Sequence, residues 1–227
     1  MRVLAMDTAL GACSAAVLDT VYGGIIAAVS QPMARGQAEA LMPLVQSVMN
    51  DASLAFADID RIAVTTGPGS FTGLRVGIAA ARGIALAAGR PIVGLTTLAA
   101  YAAPHVAADD TCPVVVAIDA RHGQVYLQVF GPGGRTLTAP RLATLREAAH
   151  AAGEAPCCIV GSAADAVAGA MSVADAVPVA VEARAAPDIA WAARMGAVLP
   201  EGQSPPKPQY LRAPDAQPQN AAQLPRR

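Results

Sequence analysis

The amino-acid sequence predicts an α/β protein of two like-folded lobes, each with the element order βββαβα. Two observations carry this prediction. The stretch VLAMD near the N-terminus is matched by VVAID from residue 115, so Asp7 and Asp119 each end the first strand of a unit. An internal repeat with a period near half of the chain indicates a duplicated architecture. A chain of 227 residues is also long enough for two lobes of roughly 100 residues each.

The first unit begins with three apolar segments separated by glycine turns, which predict a meander of three strands. These strands are expected at 3–6, 13–18 and 25–29. Apolar residues at helical spacing predict a helix over 36–50, in which Pro43 either kinks the helix or lies in its first turn. A strand at 62–64 then leads into the glycine loop TTGPGSFTGLRVG.

Ser70 in this loop is placed to cap a second helix, which the spacing of small residues predicts over 71–88. A short strand at 92–95 and a helix over 96–106 that could bridge the lobes complete the first unit. The lobe boundary is predicted near Pro104, which divides the chain into a first lobe, 1–103, and a second, smaller lobe, 104–212.

The second unit repeats the pattern from residue 112 onward. Its strands are predicted at 114–118, 125–130, 135–138 and 157–160, and its helices at 142–152, 163–170 and 188–199. Proline and glutamine become frequent near the C-terminus, so 213–227 is predicted to be a disordered tail.

Charge and composition exclude several classes of protein. The 16 basic and 17 acidic residues give a net charge of −1 without a basic run, which argues against direct nucleic-acid binding. The four cysteines form no Cys-x-x-Cys pair, as is typical of a reduced cytoplasmic protein. We find neither a signal-peptide core nor an uninterrupted apolar span, so no membrane association is expected.

The glycine loop invites comparison with phosphate-binding loops, because a strand, a glycine turn and a helix start can direct free N–H groups at an anion. The known motifs nevertheless fail. No lysine follows the loop as the P-loop requires, and Gly67, Gly69 and Gly73 are too widely spaced for a dinucleotide fingerprint. Arg75 could supply a cation, although a surface or interface ion pair is its simpler role.

Asp7 and Asp119 are the second candidate site. In duplicated nucleotide-binding folds, carboxylates on facing lobes position magnesium and phosphates, whereas an Asp after a strand often caps a turn. Both interpretations stay open at this point. The three histidines lie far apart in sequence and Ser70 lies outside a Gly-x-Ser-x-Gly motif, so we expect no metal site and no serine catalysis.

Four segments together resemble a known family. In their order and spacing, MDTALGACSAAVLD, GPGSFTGLRVGIAAARGIAL, IDARHGQVY and PQYLR resemble the TsaB (YeaZ) proteins of bacterial tRNA threonylcarbamoyladenosine synthesis. The resemblance runs from Met1 to about Arg212. It implies a two-lobed actin-like ATPase fold, related to ribonuclease H, in agreement with the internal repeat.

The resemblance also implies a function. Members of this family are non-catalytic partners of TsaD, which transfers threonylcarbamoyl to the adenosine beside the tRNA anticodon, and the ATPase TsaE joins the complex. The chain would form a homodimer when the partner is missing and reach tRNA only indirectly. A metal-binding His-x-x-x-His pair of TsaD falls on Thr97 and Tyr101 here, so catalytic residues, cofactor and metal are expected to be absent.

Two sets of residues follow from the resemblance. One is a vestigial nucleotide site, consisting of Asp7, Thr8, Gly67, Gly69 and Asp119. The other is a partner-binding face on the two first-lobe helices, because both are apolar on more than one side. The residues predicted for that face are Leu41, Val45, Met49, Ile78, Arg82 and Ala85. The alternative is that both apolar sides are buried within the lobe.

Two other functions compete with the scaffold. The first is a small actin-like-fold ATPase or kinase that uses Asp7 and Asp119, which magnesium-dependent ATP binding by the isolated chain would reveal. The second is a protease, in line with the historical glycoprotease name of the superfamily. No nucleophile with an adjacent base supports a protease.

Overall fold

The computed structural model describes residues 1–202 and 204–212. The first unit contains five strands and two helices in the predicted order. The strands are β1 (Arg2–Asp7), β2 (Ala12–Asp19), β3 (Gly24–Pro32), β4 (Arg61–Thr65) and β5 (Ile92–Leu95). The helices are α1 (Gln37–Asp51) and α2 (Phe71–Ala88), and a short 3-10 turn, Phe56–Asp58, precedes β4.

Helix α3 (Thr97–Ala108) leads into the second unit, which repeats the same order. Its strands are β6 (Val114–Asp119), β7 (Gln124–Phe130), β8 (Thr136–Thr144), β9 (Cys158–Val160) and β10 (Ala180–Glu182). Its helices are α4 (Leu145–Gly153) and α5 (Ala164–Gly169), followed by α6 (Ile189–Val198); a 3-10 turn, Pro132–Gly134, lies between β7 and β8.

The two units have the same sheet topology. The first sheet has the order β3-β2-β1-β4-β5 and the second has the order β8-β7-β6-β9-β10. In each sheet, the first three strands are antiparallel and the last three run parallel, with the first strand of the unit in the centre. The duplicated two-lobed fold is therefore confirmed. When α3 and α6 are counted with the unit that they follow, each unit has the order βββαβαβα, which adds β5 and α3, or β10 and α6, to the predicted βββαβα.

The last helix of each unit packs on the sheet of the other unit. Helix α3 packs on β6 through Leu98, Tyr101 and Ala102, although it follows the last strand of the first unit. Helix α6 packs on β1, β2 and β4, where Ile189, Ala192 and Ala193 are buried. The predicted boundary therefore assigned α6 to a lobe on which it does not pack, because an apolar helical pattern does not indicate which sheet it covers. The division at residues 103 and 104 otherwise stays a prediction.

Helices α1 and α2 cover the opposite face of the first sheet and contact each other. Small residues allow α2 to approach closely, since Gly73 and Gly77 are buried against the turn after β1. Ser70 caps this helix as predicted, because its hydroxyl accepts a hydrogen bond from the Gly73 N–H at 3.3 Å. Pro43 lies inside α1 rather than ending it.

The structure differs from the sequence prediction at two other places. Strand β8 begins near the predicted position but continues to Thr144, so α4 starts three residues later than predicted. Strand β10 was not predicted, because only three residues of a valine-rich segment form it. The predicted disordered tail, 213–227, lies outside the described residues.

One described helix, α2, is long and apolar enough to cross a membrane. Only its length and composition meet the criterion for a membrane-spanning helix. Seven of its residues are buried against the sheet and neighbouring helix, and it carries Arg75 and Arg82. These are the features of a core helix of a globular lobe.

Candidate functional site

Asp7, at the end of the central strand β1, is a fully buried carboxylate. Its Oδ1 accepts hydrogen bonds from the Ala9 N–H at 3.0 Å and from the Thr65 hydroxyl, whereas Oδ2 has no partner among the described residues. Burial raises the pKa of Asp7 above its ordinary value of 3.8, and the two hydrogen bonds oppose that shift. The site therefore favours the neutral form of this carboxyl group more strongly than water does.

The glycine loop packs directly on the turn that follows Asp7. A Cβ atom at Gly73 would lie 2.0 Å from the Thr8 carbonyl oxygen, and one at Gly69 would lie 2.3 Å from the Ala9 carbonyl oxygen. Thr8 is buried and its hydroxyl donates to the Gly73 carbonyl oxygen at 2.7 Å. These glycines allow the chain to approach its own backbone closely.

The polar groups of the loop are likewise used within the chain. The Ser70 N–H donates to the Ala9 carbonyl oxygen at 2.7 Å. The Gly67 carbonyl oxygen accepts from the Thr97 N–H at 2.8 Å, and the Thr66 carbonyl oxygen accepts from the Gln209 N–H at 2.7 Å. Gly67 has a φ of 110°, which favours glycine. A phosphate-binding loop needs free N–H donors. In this loop the Ser70 N–H is already bonded to Ala9, and the Thr66 and Gly67 carbonyl oxygens accept hydrogen bonds from other segments of the chain.

Asp119 is the positional counterpart of Asp7 at the end of β6, but it is exposed. Its Oδ1 accepts a hydrogen bond from the Arg121 N–H at 2.8 Å. Asp7 accepts from the residue two positions later in the same way, so both aspartates cap the turn that follows their strand. Within the described residues, no hydrogen bond or ion pair joins Asp7 to Asp119.

Thr97 and Tyr101 lie on α3, and both are buried. The Tyr101 hydroxyl donates to the Arg184 carbonyl oxygen at 2.7 Å. Burial raises the pKa of Tyr101, and the charge of Asp7 adds to the shift. No hydrogen-bond partner is found for Thr97 Oγ1 in the described part of the chain. There, too, no three His, Cys, Asp or Glu side chains are grouped as metal ligands.

Five of the six residues predicted for a partner-binding face are buried in the first-lobe core. These are Leu41, Val45, Met49, Ile78 and Ala85. The prediction that they form an exposed face is wrong, because α1 and α2 pack both on the sheet and on each other and so bury two apolar sides. Arg82 is exposed, and its guanidinium donates to the Pro206 carbonyl oxygen.

The exposed residues of these helices form a different surface, which we name the α1–α2 outer surface. It contains Met42 and Gln46 of α1 and Ala79, Gly83 and Leu86 of α2. Met42 is 45 % exposed and Leu86 is 86 % exposed. The sequence held a signal for this surface, since the glycine stripe at 73 and 77 marks the buried side of α2 and helical spacing places Ala79 and Leu86 on the far side of the helix.

A family model and two curated relatives that match the chain carry names from tRNA threonylcarbamoyladenosine synthesis. The family model of TsaD, described as tRNA N6-adenosine threonylcarbamoyltransferase, matches residues 13–173. The chain is 39 % identical over 126 residues to the tRNA threonylcarbamoyladenosine biosynthesis protein TsaB of Escherichia coli K12, covering 56 % of this chain and 53 % of that protein. It is 34 % identical to TsaB of Haemophilus influenzae, with coverages of 56 % and 52 %. The chain thus spans about half the length of the curated relatives that it matches.

Solved structures cover more of the molecule. A Pseudomonas aeruginosa protein described as similar to peptidase YEAZ superposes with a TM-score of 0.76 and 28 % identity, over 93 % of this chain and 99 % of that one. YeaZ from the same organism gives a TM-score of 0.69 at 27 % identity, over 86 % and 90 %. A polyphosphate/ATP-glucomannokinase from Arthrobacter, 14 % identical over 87 % and 98 % with a TM-score of 0.50, shares the fold alone. These likenesses confirm the predicted actin-like two-lobed fold.

Proposed function

Since the chain belongs to the TsaD family, and within it to the TsaB (YeaZ) proteins, we propose that it is a non-catalytic scaffold subunit in tRNA threonylcarbamoyladenosine synthesis. In this role it binds and activates a TsaD-like catalytic subunit. That subunit adds threonylcarbamoyl to the adenosine next to the tRNA anticodon.

The self-occupied glycine loop is the observation that carries the non-catalytic assignment. Its glycines accommodate the Thr8 and Ala9 backbone, and its carbonyls accept from Thr97 and Gln209. The Asp7 carboxyl group beside it is fully buried and its Oδ1 already accepts two hydrogen bonds, so it is poorly placed to bind Mg²⁺, which keeps a hydration shell. Thr97 and Tyr101 also replace the histidines that the resemblance assigns to a metal site. The proposal therefore includes neither a cofactor nor a metal.

The α1–α2 outer surface is the proposed contact with the TsaD-like subunit. Leu86 and Met42 expose apolar area there, and Ala79 and Gly83 allow another helix to come close. The same surface would pair two copies of the chain when the partner is missing. A TsaE-like ATPase would join through the complex, and tRNA would be held by the partner, in keeping with the net charge of −1.

Location follows from the proposed role. Transfer RNA and its modifying enzymes share one compartment, so we place the protein in the cytoplasm and away from membranes. All four cysteines are free thiols, which suits a reducing compartment.

Purification of the tagged chain from its own cells, followed by native mass spectrometry, tests the proposal. We expect a subunit bearing His-x-x-x-His to copurify in fixed stoichiometry, and its transfer activity on tRNA to depend on the added chain. The alternative is an ATPase or kinase that uses Asp7 and Asp119. It would be supported if the chain copurified with nothing and bound ATP in a magnesium-dependent way that Asp7→Ala abolished.

A further inference from the structure

Residues 204–212, which we name the C-terminal strap, lie against the glycine loop. The Gln209 N–H donates to the Thr66 carbonyl oxygen at 2.7 Å. A Cβ atom at Gly67 would lie 2.8 Å from the Gln209 carbonyl oxygen, and one at Gly94 would lie 2.8 Å from Pro206. Glycine at these two positions is therefore what allows the strap to seat on the first lobe.

Side chains anchor the strap to the exposed side of α2. The rings of Tyr210 and Phe71 lie 4.9 Å apart between centroids. The Arg75 guanidinium stacks 3.7 Å from the Phe71 centroid and donates to the Tyr210 hydroxyl at 3.1 Å. Arg82, about two turns further along α2, donates to the Pro206 carbonyl oxygen. Cation–π stacking and charge-assisted bonds of this kind are directional, so they fix the path of the strap.

The strap ends on the second lobe. Arg212 donates to the Ala120 carbonyl oxygen at 2.8 Å, and Ala120 follows Asp119 in the turn after β6. Since the glycine loop follows β4 and Ala120 follows β6, the strap joins the carboxyl ends of parallel-paired strands in the two sheets. That edge is where α/β sheets bind ligands, at the mouth of a cleft.

We propose that the C-terminal strap is the ligand of the glycine loop and clamps the two lobes together at the carboxyl ends of their parallel strands. Helices α3 and α6 already join the lobes through the sheet faces. A second attachment at the strand ends would restrict rotation about that junction, as a bound ligand does in proteins with hinge closure. The strap, a segment of this chain, would then hold the two lobes together as a bound ligand does in those proteins.

Hydrogen exchange of the isolated full-length chain tests the clamp. Tyr210→Ala removes an anchor on the first lobe, and Arg212→Ala removes the contact with the second. We expect both variants to raise the exchange rate of the amides at 120–124 by about tenfold, because the turn loses its cover and the lobes gain freedom. X-ray scattering should show a larger radius of gyration for both variants. Arg146→Ala, an exposed arginine on α4, is the matched control.

The Tyr210→Ala result is decisive, since the contacts described for Tyr210 lie in the first lobe while the measured amides lie in the second. A purely local role of the strap would change exchange at 66–75 only. If both variants matched Arg146→Ala at 120–124 and in radius of gyration, the clamp would be refuted. Should Tyr210→Ala fail to fold, Tyr210→Phe replaces it, because it keeps the ring and removes the bond from Arg75.

Discussion

Asp7 is a carboxyl group that the fold buries completely and satisfies at only one oxygen. Its Oδ1 caps the turn to Ala9 and accepts from Thr65, while Oδ2 is buried without a partner in the described residues. Desolvation dominates and raises the pKa above 3.8. An acid whose pKa is raised by folding holds its proton more tightly when folded. Its contribution to stability is therefore complete at low pH and is lost as pH rises through the folded-state pKa.

The Asp7→Asn variant isolates this effect. The free energy of unfolding of the wild type, relative to Asp7→Asn, should fall as pH rises above about 4 and become constant beyond the folded-state pKa, because Asn does not titrate. Urea unfolding at a series of pH values measures the difference. Asp119→Asn is the control for the loss of a turn-capping carboxylate, since Asp119 caps the equivalent turn but is exposed. A difference for Asp7→Asn that stayed flat or rose with pH would contradict the assignment.

Helix α2 connects the sequence pattern to the fold at the scale of a single element. The glycine stripe, the Ser70 cap and the helix limits 71–88 were predictable, because they depend on local spacing and capping chemistry. The sequence pattern did not show which apolar side of α2 is exposed. Ile78 and Ala85 were predicted to face a partner, but they pack in the core with residues of α1. Neighbouring helices decide that outcome, and their position is not encoded in the period of one helix.

Two glycines of α2 give a matched pair of substitutions. Gly73→Ala would place a methyl group 2.0 Å from the Thr8 carbonyl oxygen, whereas Gly83 has nothing within 4 Å. We expect Gly73→Ala to destabilise the protein by at least about 2 kcal/mol through overpacking. Gly83→Ala should stabilise it by about 0.5–1 kcal/mol through helix propensity. Equal effects in chemical denaturation would mean that the loop does not seat on the β1–β2 turn.

Leu86 is the residue through which the α1–α2 outer surface is best tested. Leu86→Asp should weaken binding of the TsaD-like subunit by about tenfold or more, because a buried apolar contact is replaced by a charge. Thermal stability should hardly change, since Leu86 is 86 % exposed. Val198→Asp on α6, at an 82 % exposed position, serves as the control and should leave affinity unchanged. Titration calorimetry measures the affinity of both variants for the TsaD-like subunit. An affinity of Leu86→Asp equal to that of the wild type would exclude this surface as the contact.

The whole molecule is held together by the exchange of its last helices. The repeat of VLAMD and VVAID made two lobes predictable, because duplicated strands keep their local patterns. The exchange of α3 and α6 was not predictable from the patterns, since it depends on which sheet face each helix reaches. Because of this exchange, each sheet has one face covered by a helix from the other unit, so neither unit can bury its apolar residues alone.

We therefore expect the chain to unfold as one cooperative unit. Trp191, the single tryptophan, belongs to α6, the helix that packs on the first sheet, whereas circular dichroism reports on both lobes. The two signals should give coincident thermal transitions. Two separated transitions, with Trp191 responding in only one, would show that the lobes are independent despite the exchange.

The central claim is that the buried site around Asp7 does no chemistry and that the α1–α2 outer surface carries the function. Threonylcarbamoyl transfer to tRNA by the TsaD-like subunit, with this chain added as wild type, Asp7→Asn or Leu86→Asp, tests it most directly. We predict that Asp7→Asn supports transfer at the wild-type rate at temperatures where it is folded, and that Leu86→Asp supports it poorly. Loss of transfer with Asp7→Asn and full transfer with Leu86→Asp would contradict the claim and identify a working nucleotide site.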